Sequence, residues 1–219
     1  MDIAILLYDR FTALDAIGPY EVLSRLPGAS LRFLAADAGL VRTDNGTLTV
    51  AVEHSLADVP HPDIVLVPGG PGEVAARAGR PVLEWLRSAD QTSTWTASVC
   101  TGSLILAAAG LLEGRRATSH WLALEELGRL GATPVSERVV FDGKLVTAAG
   151  VSAGIDMALA LAARVAGERV AEAIQLGIEY DPKPPFDAGS PGKAPPELVE
   201  LLRGRSRFAD AQEPLPAGD

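Results

Sequence analysis

The chain has 219 residues, 47% of them hydrophobic and 21% charged, and 19 basic against 28 acidic side chains give a formal net charge of −9. That size fits one domain with an ordinary core, and no apolar run is long enough to span a bilayer. Basic residues are scattered, with Arg115-Arg116 the longest adjacent cluster, which argues against an electrostatic nucleic-acid surface.

The N-terminal Met1-Asp2-Ile3 enters a strand-like pattern without the basic region of a signal peptide. The one cysteine, Cys100, has no disulfide partner and suits a reducing compartment. A soluble, cytoplasmic protein is expected. Residues 2–8 (DIAILLY) form an apolar run like a buried parallel strand. Gly18-Pro19 predicts the start of a helix reaching about Leu26, because proline favours the first turn. Residues 31–36 read as a second strand, and Asn45-Gly46 within 39–52 predicts a short β-excursion. Residues 63–67 (DIVLV) read as a central strand that runs into Pro68-Gly69-Gly70-Pro71-Gly72. A helix follows over about 81–90, then a strand at 94–99, Cys100, and a helix at 102–110.

Arg138 to Val146 predicts a hairpin about Asp142-Gly143. Residues 153–166 and 168–179 read as helices. A proline-rich segment at 181–196 and a short helix at 196–203 follow. One domain over 1–205 is expected, with 206–219 a flexible tail. Alternating strands and helices predict an α/β fold with a mainly parallel sheet and helices on both faces. Sites in such sheets lie beyond the carboxyl ends of the strands. Asp15, the 68–72 loop and Cys100 all fall at such ends, so one site is expected to hold all three.

Cys100 at a tight strand-to-helix turn, a nucleophile elbow, is either a buried structural thiol or a reactive one. A helix N-terminus can lower a thiol pKa toward about 3.5–7.5. Asp15 either caps a helix or hydrogen-bonds the sulfur. In the second role burial and a thiolate neighbour raise its pKa, and the pair titrates as one coupled unit. The glycine loop is either a tight connection or an anion site in which the N–H groups of Gly70 and Thr101 converge. It lacks the spacing of a phosphate loop. His54 and His61 are expected at the surface and His120 as a packed residue, and no histidine pairing suggests a metal site.

The segments PGGPG, SVCTGSLILAAAGLLEGRRATSHW and VTAAGVSAGIDMALALAA together resemble the ThiJ/PfpI superfamily, with its glutamine-amidotransferase-like fold. The resemblance covers about residues 3–205. Many members carry a histidine after the nucleophile, whereas Thr101 stands there in this chain, and Asp15 replaces a common glutamate. Those features and the tail EYDPKPPFDAGSP resemble the branch that hydrates isocyanides. The resemblance implies a Cys100 nucleophile, an Asp15 acid–base group, positioning by the Gly70 and Thr101 amides, and a pocket at Ala149, Gly150 and Val151. Isocyanide would become N-substituted formamide through a covalent thioimidate, with no metal or organic cofactor. A glycine triplet of that branch is replaced here by Ala148-Ala149-Gly150, whose methyls would stiffen the next helix or narrow the pocket. The resemblance also implies a homodimer acting on a small molecule. Other readings are a redox sensor that oxidises Cys100 to a sulfinic acid, a ligand-sensing module like that of AraC-type regulators, and a glyoxalase-like or protease-like enzyme. The acidic balance opposes a DNA-binding regulator, and the missing histidine after Cys100 opposes the last pair.

Overall fold

Strand β1 (Asp2–Leu6) shows how the continuous apolar runs are used. Successive strand side chains point to opposite faces. Ile3 and Ile5 therefore join one buried cluster, while Ala4 and Leu6 join another. A strand covered on both faces must be apolar throughout. The computed structural model describes residues 1–208. The later strands are β2 (Ser30–Ala35), β3 (Gly39–Arg42), β4 (Thr49–Val52), β5 (His54–Ser55), β6 (Ile64–Val67) and β7 (Trp95–Val99). After them come β8 (Arg116–Ala117), β9 (Thr133–Pro134), β10 (Val139–Asp142) and β11 (Leu145–Ala148). The main sheet has the order β10-β11-β7-β6-β1-β2-β5. Its strands pair in parallel except β10 with β11, the predicted hairpin. The β3–β4 hairpin turns at Asn45-Gly46, with Gly46 at φ 75°.

Helix α1 (Ala13–Leu23) packs on one face of the sheet, and α2 (Glu73–Ala78), α3 (Arg80–Thr92), α4 (Gly102–Ala108) and α5 (Leu124–Arg129) pack on the other. Two further helices, α6 (Ala153–Ala166) and α7 (Glu168–Gly177), join α1, and α8 (Pro196–Gly204) is the last helix among the described residues. Leu66 of β6 and Met157 and Leu161 of α6 are fully buried on the α1 side, whereas Leu86, Leu104 and Leu127 fill the other side. Truncating one such leucine to alanine costs about 2–5 kcal/mol through lost transfer energy and a residual cavity.

The first helix departs from expectation. It begins at Ala13 rather than Gly18 and ends at Leu23 rather than Leu26, with Pro19 inside it. Proline removes one backbone donor but does not stop a helix whose apolar face is fully engaged. Ala16, Val22 and Leu23 are that face. The shift puts Asp15 within the first helical turn instead of ahead of it. The short elements α2, α5, β5, β8 and β9 have no predicted counterpart, because they are too brief to show a hydrophobic period. Most of the predicted 206–219 tail lies outside the described residues.

Candidate active site

Three adjacent strands set up the site. β7, β6 and β1 are neighbours in the sheet, and all three run parallel. Their carboxyl ends lead to Cys100, to the 68–72 loop and to the turn before α1. Cys100 sits at φ 57°, a left-handed conformation that non-glycine residues seldom adopt. Several bonds hold it there. Its N–H is shared between the carbonyls of Ala148 and Ala149, at 3.0 and 3.1 Å. Its carbonyl accepts from Ser103 Oγ at 3.1 Å and Ser119 Oγ at 3.0 Å. Gly102 completes the turn because a Cβ there would lie 2.1 Å from the Val67 carbonyl oxygen. The strained backbone turns the sulfur toward the N–H groups of Thr101 and Val151, which favour its ionised form.

Asp15 faces the same sulfur from α1 and is fully buried. Its Oδ2 accepts the Gly69 N–H at 3.0 Å, and its buried Oδ1 has no hydrogen-bond partner. The loop between them is pinned at successive peptides. Tyr8 Oη donates to the Pro68 carbonyl at 2.7 Å, and Thr12 N–H donates to the Gly69 carbonyl at 2.8 Å. Gly70 N–H donates to Thr101 Oγ1 at 3.0 Å. Gly69 must be glycine: a Cβ there would stand 2.5 Å from Thr101 N and 2.9 Å from Asp15 Oδ2.

Comparison with known proteins agrees with this geometry. Residues 1–164 match the model of the DJ-1/PfpI family. The chain belongs to that family. It is 42% identical over 206 residues to the isonitrile hydratase of Pseudomonas putida, covering 94% of this chain and 90% of that one. It is 35% identical over 173 residues to the HTH-type transcriptional regulator CdhR of Pseudomonas aeruginosa, of which it covers 49%. Among solved structures, a ThiJ/PfpI family protein from Pseudomonas syringae superposes with a TM-score of 0.90 at 37% identity, covering 96% of this chain and 89% of that one. The expected α/β architecture is therefore the DJ-1/PfpI fold.

The electrostatics of the pair in this family member correct one expectation. The helix N-terminus predicts a lowered thiol pKa, yet burial and the facing Asp15 carboxyl push the Cys100 thiol well up. The Thr101 and Val151 N–H groups offset only part of that. Cys100 is only 6% exposed, and removing an anion from water outweighs the pull of a seven-residue helix. Burial likewise pushes Asp15 up to about 7, against the Gly69 N–H and the Cys100 thiol, with Asp44 adding a smaller upward push. Burial pushes both groups up, and the two titrate as one coupled pair.

A second correction concerns the backbone donors. Gly70 N–H does not point at the sulfur, because the Thr101 hydroxyl takes it. Val151, at φ 38°, brings its N–H toward the sulfur, where with that of Thr101 it favours the thiolate. Ala149, Gly150 and Val151 line a cavity of about 290 Å³ shared with His120, Trp121 and Arg138. His120 Nδ1 accepts the Leu122 N–H at 3.3 Å, which leaves the ring proton on Nε2. Burial and Arg207 hold its pKa down, so the ring is neutral. His54 pairs along β5 and His61 is exposed, and neither enters the site.

Sequence reasoning missed Tyr8, Ser119, Glu73 and Arg207. Tyr8 carried a readable signal, as a hydroxyl-bearing residue just past the end of a central strand. Ser119 and Arg207 carried none, because each reaches the site only through the folded chain.

Proposed function

We propose that this protein hydrates isocyanides, also called isonitriles, to N-substituted formamides. Cys100 is the nucleophile and Asp15 the acid–base group. The observation that carries this reading is the buried, mutually perturbed Cys100–Asp15 pair, set at an elbow whose next residue is threonine rather than histidine. It is supported by 42% identity to an isonitrile hydratase over nearly the whole chain.

The isocyanide carbon must gain a nucleophile and a proton at the same atom. Asp15 carboxylate takes the thiol proton as sulfur attacks that carbon, and then delivers it to the same carbon. The product is a thioimidate, R–N=CH–S–Cys100. Asp15 next accepts a proton from water as the water oxygen adds to the carbon, and the imine nitrogen takes that proton. The C–S bond then breaks, the carbonyl forms, and the hydroxyl proton returns through Asp15 to sulfur. One water has been added with no change of oxidation state overall. A group titrating near 7 suits both directions of transfer. The N–H groups of Thr101 and Val151 stabilise charge on sulfur as it leaves.

The cavity beside Ala149–Val151 receives the substituent on the isocyanide nitrogen, so a small-molecule substrate is proposed. A homodimer is proposed as the working unit, supported by an apolar groove at Leu14, Ile17, Ile155 and Ile178 on the α1–α6 face. Cytoplasmic location is proposed with it. Among the described residues, no helix is long and apolar enough to cross a membrane. The deciding test follows formamide from a small aryl isocyanide. Turnover by wild type and none by Cys100→Ala or Asp15→Asn is expected, and full turnover by Cys100→Ala would refute the mechanism.

A further inference from the structure

The C-terminal segment lies beyond the family-matched residues 1–164, yet it returns to the site. Leu198, Val199 and Leu202 of α8 share a groove with Trp121, and Arg203 stands over the Trp121 ring at 5.9 Å. The chain then brings in Arg207. Its guanidinium meets Glu73 Oε1 at 3.2 Å and lies 3.4 Å from the Gly70 carbonyl oxygen. Glu73 is fully buried at the start of α2, and its other oxygen meets Arg77 at 3.1 Å. A carboxylate removed from water is tolerated only with such partners. Burial pushes Glu73 up, and Arg77 and Arg207 pull it back.

This cluster touches neither the thiol nor Asp15. What it grips is the loop that holds Asp15 and the residue after the thiol. Gly69 N–H holds Asp15, and Gly70 N–H holds the Thr101 hydroxyl. Loss of the grip leaves the Gly70 carbonyl with the Glu73 N–H at 3.1 Å and loosens the loop on one side, while Tyr8 and Thr12 still hold it from the other. We propose that Arg207 is a positioning residue for the Cys100–Asp15 pair, clamping the 68–72 loop through Glu73 and the Gly70 carbonyl so that Gly69 N–H stays on Asp15. This rests on the reading of that pair as the reacting groups, but its test does not need turnover.

The titratable groups facing Asp15 are Cys100, Asp44 and Tyr8, while Arg207 acts by charge on Tyr8, Glu73 and His120. Removing the Arg207 cation and loosening the loop would both raise Asp15, whereas removing the Glu73 anion lowers it by charge, so a rise in Glu73→Gln reports the loop. The experiment titrates the Asp15 carboxyl carbon by NMR in full-length wild type, Arg207→Met and Arg207→Lys, with Asp15→Asn assigning the resonance. Arg207→Met should raise the midpoint by about half a pH unit or more, because a weakened Gly69 N–H bond no longer favours the carboxylate. Arg207→Lys, which keeps a cation for Glu73, should restore at least half of that shift. Glu73→Gln, which keeps the volume but releases Arg207, should move the midpoint the same way. If wild type turns over isocyanide, kcat of Arg207→Met should fall about tenfold with KM little changed, since the loop aligns reacting groups rather than binding substrate. Superimposable titrations for wild type, Arg207→Met and Glu73→Gln would overturn the proposal, whether or not wild type turns over isocyanide.

Discussion

Asp15→Asn separates the cost of the acid–base group from its use. In the folded chain the carboxyl is raised from 3.8 to about 7. The native state therefore holds a proton between about pH 4 and pH 7 that the unfolded chain has released. Stability contributed by the protonated form is complete below the unfolded pKa and is lost as pH rises through the folded value. About three pKa units at 1.36 kcal/mol each make that loss about 4 kcal/mol above pH 7. Asparagine keeps the shape, offers Oδ1 to the Gly69 N–H, and cannot ionise. Urea unfolding of both proteins at several values from pH 4 to 8 checks this. The stability difference, variant minus wild type, should climb by about 4 kcal/mol over that range, because other titrating groups cancel in the subtraction. The same variant should lose turnover by at least about a hundredfold. A stability difference that stays flat from pH 4 to 8 would refute the argument that burial raises Asp15.

Cys100→Ser should abolish isocyanide turnover while changing stability by less than about 1.5 kcal/mol, measured by formamide release and urea melts, because the swap nearly conserves volume. Thr101→Val leaves the buried Gly70 N–H without its acceptor and should cost about 1–3 kcal/mol in the same melts. It should also slow turnover, since the loop that carries Gly69 loses a tie to the elbow. Light scattering at micromolar concentration should return twice the 22.8 kDa chain mass, and a monomer mass would refute the dimer.

The fold was legible wherever a run was long enough to show a period. The 2–8 and 63–67 runs announced strands buried on both faces, and the structure divides their side chains between two cores. Asp142-Gly143 announced the one antiparallel pair in the main sheet. Pro19 misled, because a local rule for the first turn lost to the packing of α1 against α6. Within the site, Cys100 and Asp15 were legible from their places at strand ends. The second N–H donor was not, because Val151 reaches the sulfur through a strained turn that no residue type announces. The sign of the thiol shift was equally hidden, since burial of the pair is a property of the assembled cores.

That reversed sign bears on what the site is for. A sensor cysteine is a low-pKa, accessible thiolate, which peroxide attacks readily. Cys100 is 6% exposed and its thiol is pushed up, the opposite on both counts. A hydratase acting on an isocyanide has no need of a standing thiolate, because the carbon that takes sulfur also takes the sulfur's proton. Asp15, titrating near 7, can hold that proton between the two events. Mild peroxide therefore distinguishes the two readings at one residue. Intact mass should show Cys100 remaining a thiol under conditions that oxidise an exposed cysteine, whereas quantitative addition of two oxygens at Cys100 would favour the sensor.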